Sequence, residues 1–174
     1  MLDAFASVGA THFDVTFLDI EGKKRGFRSR QSARQVKHSL PLLFPGLQER
    51  QNSLVVRPHS DKATLIQLDD LGSESLERIS GSTFLSLQTS PGNHQAWVAV
   101  SGLDDPKDFA RRLRKGAHAD LTASGATRVA GTVNYKRKYE PVFPTVAIEQ
   151  AHPGHSLPKN RGSSMHYGLI SRRS

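Results

Sequence analysis

Residues 64–100 read TLIQLDDLGSESLERISGSTFLSLQTSPGNHQAWVAV, and their order of apolar runs and breaks decides what sort of sheet the chain makes. The run at residues 65–68 is short and ends in Asp69 and Asp70. Leu71 and Gly72 then break the pattern, and Ser73 reads as the N-cap of a short helix through Ile79 that Gly81 ends. A second apolar run, residues 84–87, leads through Ser90, Pro91, Gly92, Asn93 and His94 into Gln95, Ala96, Trp97, Val98, Ala99 and Val100. That is strand, tight turn, strand, with a histidine at the turn's exit. A strand that ends in two carboxylates is a place to hold a cation.

Upstream, residues 1–12 are poorly patterned, after which Phe13, Val15 and Phe17 alternate as in a strand and run into a turn at Asp19, Glu21 and Gly22. Lys23, Lys24, Arg25, Arg28, Arg30, Arg34 and Lys37 crowd the next segment. Its second half reads as a helix opening at Ser29, with Ala33, Val36 and Leu40 on one side and Pro41 and Pro45 stopping it. This segment is either a solvated basic face or a nucleic-acid surface. Residues 54–56 make a short strand closed by Arg57 and Pro58, which pairs with residues 64–68 across the polar turn at 59–62.

Downstream, Asp104 or Asp105 caps a helix with Pro106 at its first position, Phe109 and Leu113 turned inward and Gly116 at its end. Arg111, Arg112, Arg114 and Lys115 give it a basic outer face. Asp120, a polar turn at 122–125 and the run Arg128 to Lys138 follow, and residues 145–148 form the last strand. The order of strands and helices implies an α+β domain with a largely antiparallel sheet and helices packed on one face. That domain takes residues 1–151. From His152 onward apolar residues thin out, so residues 152–174 read as a basic, flexible tail.

At 174 residues the chain suits one domain with a sizeable core. Cysteine is absent, which excludes disulfides and thiolate-bound metal and fits a reducing, cytoplasmic setting. No run is long enough to span a membrane. Twenty-four Lys and Arg against sixteen Asp and Glu leave a net charge of +8, as expected of a chain that meets a polyanion, nucleic acid before a membrane surface. A glycine-rich phosphate loop ending in Lys-Ser or Lys-Thr, which a helicase needs, is missing.

Paired acids beside a basic surface suggest metal-assisted phosphoryl chemistry, because magnesium and manganese want oxygen ligands that carboxylates and phosphates together supply. Adjacent strand residues point to opposite faces, so Asp69 and Asp70 share a site only if the strand ends or twists there. Otherwise Asp70 caps the turn and Asp69 is solvated. His94 either positions a nucleotide phosphate or is an ordinary turn histidine, and Arg128, Asn134 and Lys136 divide in the same way between nucleotide contact and an exposed turn.

Taken in series, FDVTFLD, NSLVVRPHS, LIQLDDL, TSPGNHQAWVAV, ATRVAGTVNYKRKY and FPTVAI resemble the RepB-like primase domain of plasmids and other mobile elements, a branch of the archaeo-eukaryotic primase superfamily. The resemblance runs from about Phe13 to His152. It implies a modified RNA-recognition-motif fold with catalytic acids on an open sheet face and a divalent metal, magnesium or manganese, carrying a nucleoside triphosphate. By motif, Asp69, Asp70 and Asp120 become the catalytic, metal-binding acids, and His94, Arg128, Asn134 and Lys136 the nucleotide-binding set. The superfamily's Asp-x-Asp spacing falls here on Gln67 and Asp69, and its Ser-x-His motif on Gly92 and His94. The implied function is making or extending primers on single-stranded DNA, with a replicative helicase as a further partner and no membrane. A non-catalytic nucleic-acid-binding module and a metal-dependent nuclease are the alternatives.

Overall fold

The computed structural model describes residues 1–158, and its elements run α1 (Leu2–Ser7), β1 (Ala10–Leu18), β2 (Lys24–Gln31), α2 (Ala33–Glu49), β3 (Ser53–Ser60), β4 (Thr64–Leu71), α3 (Ser73–Ile79), β5 (Leu85–Ser90), β6 (Asn93–Ser101), α4 (Pro106–Gly116), β7 (Thr127–Arg128), β8 (Ala147–Ala151) and β9 (Leu157–Pro158). The architecture is α+β, as the sequence predicts. Its strands divide into two sheets, one ordered β2-β1-β3-β7 and the other β4-β6-β5-β8, with β9 added parallel to β6.

Two apolar clusters hold the sheets. In the first, Phe13 and Val15 of β1, Leu54 and Val56 of β3, Phe5 of α1 and Val36 and Leu47 of α2 meet Leu85, Leu87, Trp97 and Ala99 from the second sheet. The Phe5 ring meets Trp97 edge-on with centroids 4.8 Å apart, the geometry that aromatic quadrupoles prefer. In the second cluster Ile66, Leu68, Ala96, Val98 and Val100, one residue out of phase along β4 and β6, pack under Leu76 of α3 and Phe109 and Leu113 of α4. The centre of the second sheet is therefore covered on both faces, which is why Ala96 to Val100 of β6 read as one continuous apolar run.

Several boundaries differ from the sequence reading. The basic segment's first part is an edge strand, β2, and the helix after it starts at Ala33. Ser32 accepts from the Gln35 N–H while Gln35 returns the bond to Ser32, and this capping box outcompetes Ser29 as a start. Pro41 and Pro45 do not stop α2, because burial of Val36 and Leu47 with Leu40 and Leu43 packed beside them outweighs the missing donors. Both prolines are exposed, so Pro41→Ala removes no packing and restores an N–H. We expect that variant to gain about 1–3 kcal/mol, read as a rise of a few degrees in thermal melting.

β3 does not pair with β4. It runs through Pro58, pairing with β1 along its length and with β7 only at Val55 and Val56. Pro58 turns to the same edge as Leu54, whose carbonyl accepts from Val129, and β7 ends before reaching it, so the absent N–H costs no ladder bond. β4 pairs instead with β6 and continues past the acids to the buried Leu71. Ser73 is not a cap, since Gly72 holds that position and the Ser73 hydroxyl is directed elsewhere. The strand expected at 145–148 lies instead at Ala147–Ala151, on the edge of the second sheet and exposed, with Thr145 making only a single bridge to Val133. α4 is as expected, with Asp105 accepting from the Asp108 N–H at 3.0 Å, but Arg114 turns inward and donates its Nε to the Gln67 carbonyl. Of the expected tail, residues 152–158 are tied down by His152 N–H to Phe84 O, Gly154 N–H to Ser7 Oγ and β9, while residues 159–174 lie outside the described residues.

Candidate active site

The register of β4 creates the site. Leu68 pairs with Ala96 and Leu71 with His94, so three steps on β4 oppose two on β6, and the extra residue is a bulge at Asp69 and Asp70. Asp70 sits at φ +62°, where aspartate is tolerated better than most side chains. The bulge removes the parity objection to adjacent acids sharing a face, and both line one open cleft of about 410 Å³.

Asp120 reaches the same cleft through the backbone. Its N–H donates to the Asp69 carbonyl at 2.9 Å, which holds the 120–126 segment against the end of β4. Gln67 continues that attachment from the strand, buried, with its Nε2 donating to Ala126 O and its Oε1 accepting from Gly125 N–H, both at 2.6 Å. The Thr122 N–H and then its hydroxyl bond the Asp120 carboxylate and keep it below the usual carboxylate range, with Arg114 adding to the effect. Asp70 accepts from the Asn93 side chain at 2.8 Å, and Asp69 accepts the Asp70 N–H at 3.0 Å.

Arg128, Lys136 and Lys138 line the same cleft, as do Leu18 and Val55. Desolvation pushes the Arg128 guanidinium down from its ordinary value, and its Nε is buried with no hydrogen-bond partner among the described residues. The Lys136 ammonium is lowered by desolvation first and then by Arg128 and Lys138. A cleft lined by three carboxylates and three cations suits a polyanion brought in with a counter-cation.

The family model for the RepB DNA-primase N-terminal domain matches residues 19–152. The chain belongs to this family. A DNA primase of Acidithiobacillus ferrooxidans is 30% identical over 155 residues, covering 77% of this chain and 44% of that protein, so the chain spans less than half the length of this relative. The crystal structure of primase RepB′ superposes with a TM-score of 0.73 at 26% identity, covering 89% of this chain and 57% of that one. The catalytic domain of primase RepB′ in complex with initiator DNA gives 0.72 at 26%, covering 89% and 86%.

In this RepB-type primase domain, five of the seven residues singled out from sequence line one cleft: Asp69, Asp70, Asp120, Arg128 and Lys136. His94 and Asn134 do not. His94 is buried on the opposite face of β6 from Asn93 and Gln95, with its Nδ1 2.9 Å from Glu149 Oε2 and its Nε2 3.3 Å from Ser73 Oγ. Asn134 is buried, donating to Thr89 O at 2.8 Å, and so fastens its loop to β5. Asn93, Gln95, Thr89, Ser124 and Lys138 line the cleft without having been singled out. For Asn93 and Gln95 no periodic signal was available, because Asn93, His94 and Gln95 are polar in succession.

The three acids offer only oxygen donors, the kind that hard divalent cations take. Among the described residues no three His, Cys, Asp or Glu side chains stand together as a metal cage. The set therefore suits magnesium or manganese whose remaining positions are filled by phosphate oxygens and water.

His94→Ala leaves Glu149 and Ser73 without their shared partner. It is expected to lower the melting temperature by several degrees, following about 1–3 kcal/mol for a partly buried polar group left unpaired, while the Michaelis constant for triphosphate stays near wild type. A wild-type melt with a raised Michaelis constant would return His94 to the nucleotide.

Proposed function

We propose that this domain is the nucleotidyl-transfer unit of a primase-polymerase, making or extending primers on single-stranded DNA in the replication of a plasmid, phage or other mobile element. The observation that carries this reading is that Asp69, Asp70 and Asp120 line one cleft together with Arg128, Lys136 and Lys138. The reaction is attack of a 3′-hydroxyl on the α-phosphate of a nucleoside triphosphate with pyrophosphate leaving. Arg128 offers a planar fork to phosphate oxygens and Lys136 and Lys138 offer point charges, so this wall binds and orients the triphosphate. Asn93 fixes the Asp70 carboxylate and Thr122 fixes that of Asp120, which limits the reorganisation left for the moment of reaction. Magnesium or manganese held by Asp69, Asp70 and Asp120 supplies, when bound, a lower pKa for the attacking hydroxyl and neutralisation of the leaving pyrophosphate. Residues 1–151 carry this chemistry, and 152–174 extend it with basic charge. A replicative helicase is the partner that such a unit works beside, in the cytoplasm, and no described helix is long and apolar enough to cross a membrane.

The test is incubation of the 174-residue chain with single-stranded DNA, labelled triphosphates and manganese. Labelled, template-dependent product supports the reading. Shortening of an end-labelled template with no product overturns it in favour of a nuclease, and retention of DNA with neither reaction leaves a binding module.

A further inference from the structure

The outward face of the first sheet carries a row of residues leading away from the cleft. Arg128 pairs with Val55, Val55 with Thr16, and Thr16 with Phe27. Residues directly opposite across strands share a face, so the row starts at the cleft wall with Arg128 and Val55 and ends on Phe27. Three strand spacings place Phe27 about 14 Å from Arg128. Phe27 is 48% exposed on β2, the edge strand whose outer side has no partner among the described residues. An exposed aromatic ring here has no packing role to explain it.

Its neighbours are cations. Lys24, Arg25, Arg28 and Arg30 are all exposed on the same strand. Arg25 is paired with Asp19, whereas Lys24, Arg28 and Arg30 make no ion pair with a carboxylate among the described residues. The Lys24 ammonium stands 3.9 Å from the centre of the Phe27 ring, whereas Arg28, which pairs with Val15 and lies over Phe17, belongs to the other face. An aromatic ring covered by an exposed lysine, with further cations along the same strand, matches the surface of a single nucleic-acid strand, whose bases stack on rings while its phosphates take the charges.

We propose that this face of β2 is a stacking platform for single-stranded DNA, a few nucleotides from the catalytic cleft. A base takes the face of Phe27, and Lys24 swings from the ring to a phosphate. The inference rests on the nucleotidyl-transfer reading for the identity of the strand as template. Charge complementarity and continuity with the cleft favour DNA over a peptide added to the free edge of β2, for which the exposed ring has no use.

The experiment is fluorescence anisotropy of a labelled oligothymidylate and of an abasic strand of the same length, with the wild-type chain, Phe27→Ala, Phe27→Tyr and Lys24→Gln. Phe27→Ala is expected to bind the oligothymidylate about 5- to 150-fold more weakly, the range for one stacked base, and the abasic strand as wild type does. Phe27→Tyr restores binding. Lys24→Gln lowers the salt dependence by about 0.7 in the log–log slope, and Phe27→Ala leaves it unchanged. Wild-type binding of oligothymidylate by Phe27→Ala overturns the inference, as does a loss of equal size on the abasic strand. Nucleotide incorporation is scored separately: incorporation with Phe27-independent binding sinks the platform alone, and Phe27-dependent binding without incorporation sinks the catalytic reading alone.

Discussion

Asp69→Asn is expected to lower metal-dependent nucleotide incorporation by about 10²- to 10³-fold, the size seen when one preorganised group facing developing charge is lost. Asparagine keeps the shape of the side chain and still accepts the Asp70 N–H, so the bulge and the fold survive. The same variant separates metal binding from folding. Manganese at about a hundred times its dissociation constant stabilises a native-only site by about 2.7 kcal/mol, which in a chain of this size is about 5–10 °C of melting temperature. Wild type should show that shift and Asp69→Asn should lose most of it. Without metal the variant should still melt cooperatively, lowered only by the lost attraction of the Asp69 carboxylate for the Arg128 and Lys136 cations. Incorporation near the wild-type rate, or a wild-type melt insensitive to manganese, removes Asp69 from the site.

Lys136→Ala is expected to raise the Michaelis constant for triphosphate about 30-fold, equivalent to about 2 kcal/mol for a charge-assisted hydrogen bond, with affinity for single-stranded DNA nearly unchanged. Arg128→Ala should show the same pattern with a larger effect, because the Arg128 Nε is a buried donor still lacking a partner. The reverse pattern, weaker DNA binding with a normal Michaelis constant, would move this wall to the template. pH gives a second check. Desolvation and two neighbouring cations lower the Lys136 pKa, so its charge is present at low pH and is lost on the alkaline side earlier than for an ordinary lysine. The Michaelis constant should accordingly rise as pH climbs through that lowered value, and Lys136→Arg, which stays charged, should abolish the rise.

Much of the second sheet was legible because local signals agreed. Pro91-Gly92 between apolar runs specified the β5–β6 hairpin, with Gly92 at φ +70°, and Asp105-Pro106 specified the start of α4. β2 was not legible, because KRGFRSRQ has no apolar alternation and its strand conformation comes from pairing with β1. α1 was not either, since six residues are too short for a periodic pattern and are held by burial of Leu2, Ala4 and Phe5.

At the site, the sequence by itself determined which groups were available: two adjacent acids, a third beyond α4, and a basic run at the far side. Only the tertiary structure decided which of them meet. The bulge that brings Asp69 and Asp70 onto one cleft depends on the β4–β6 register, which the acids' own spacing cannot encode. His94 and Gln95 are neighbours in sequence but occupy opposite faces of a strand buried on both sides, so hydrophobicity marks neither face as the catalytic one. Asn134 stands two residues from Lys136, yet one is fastened to Thr89 and the other faces the cleft. Side-chain identity is a local property of the chain, whereas the face on which it acts is set by strands paired from far along the sequence.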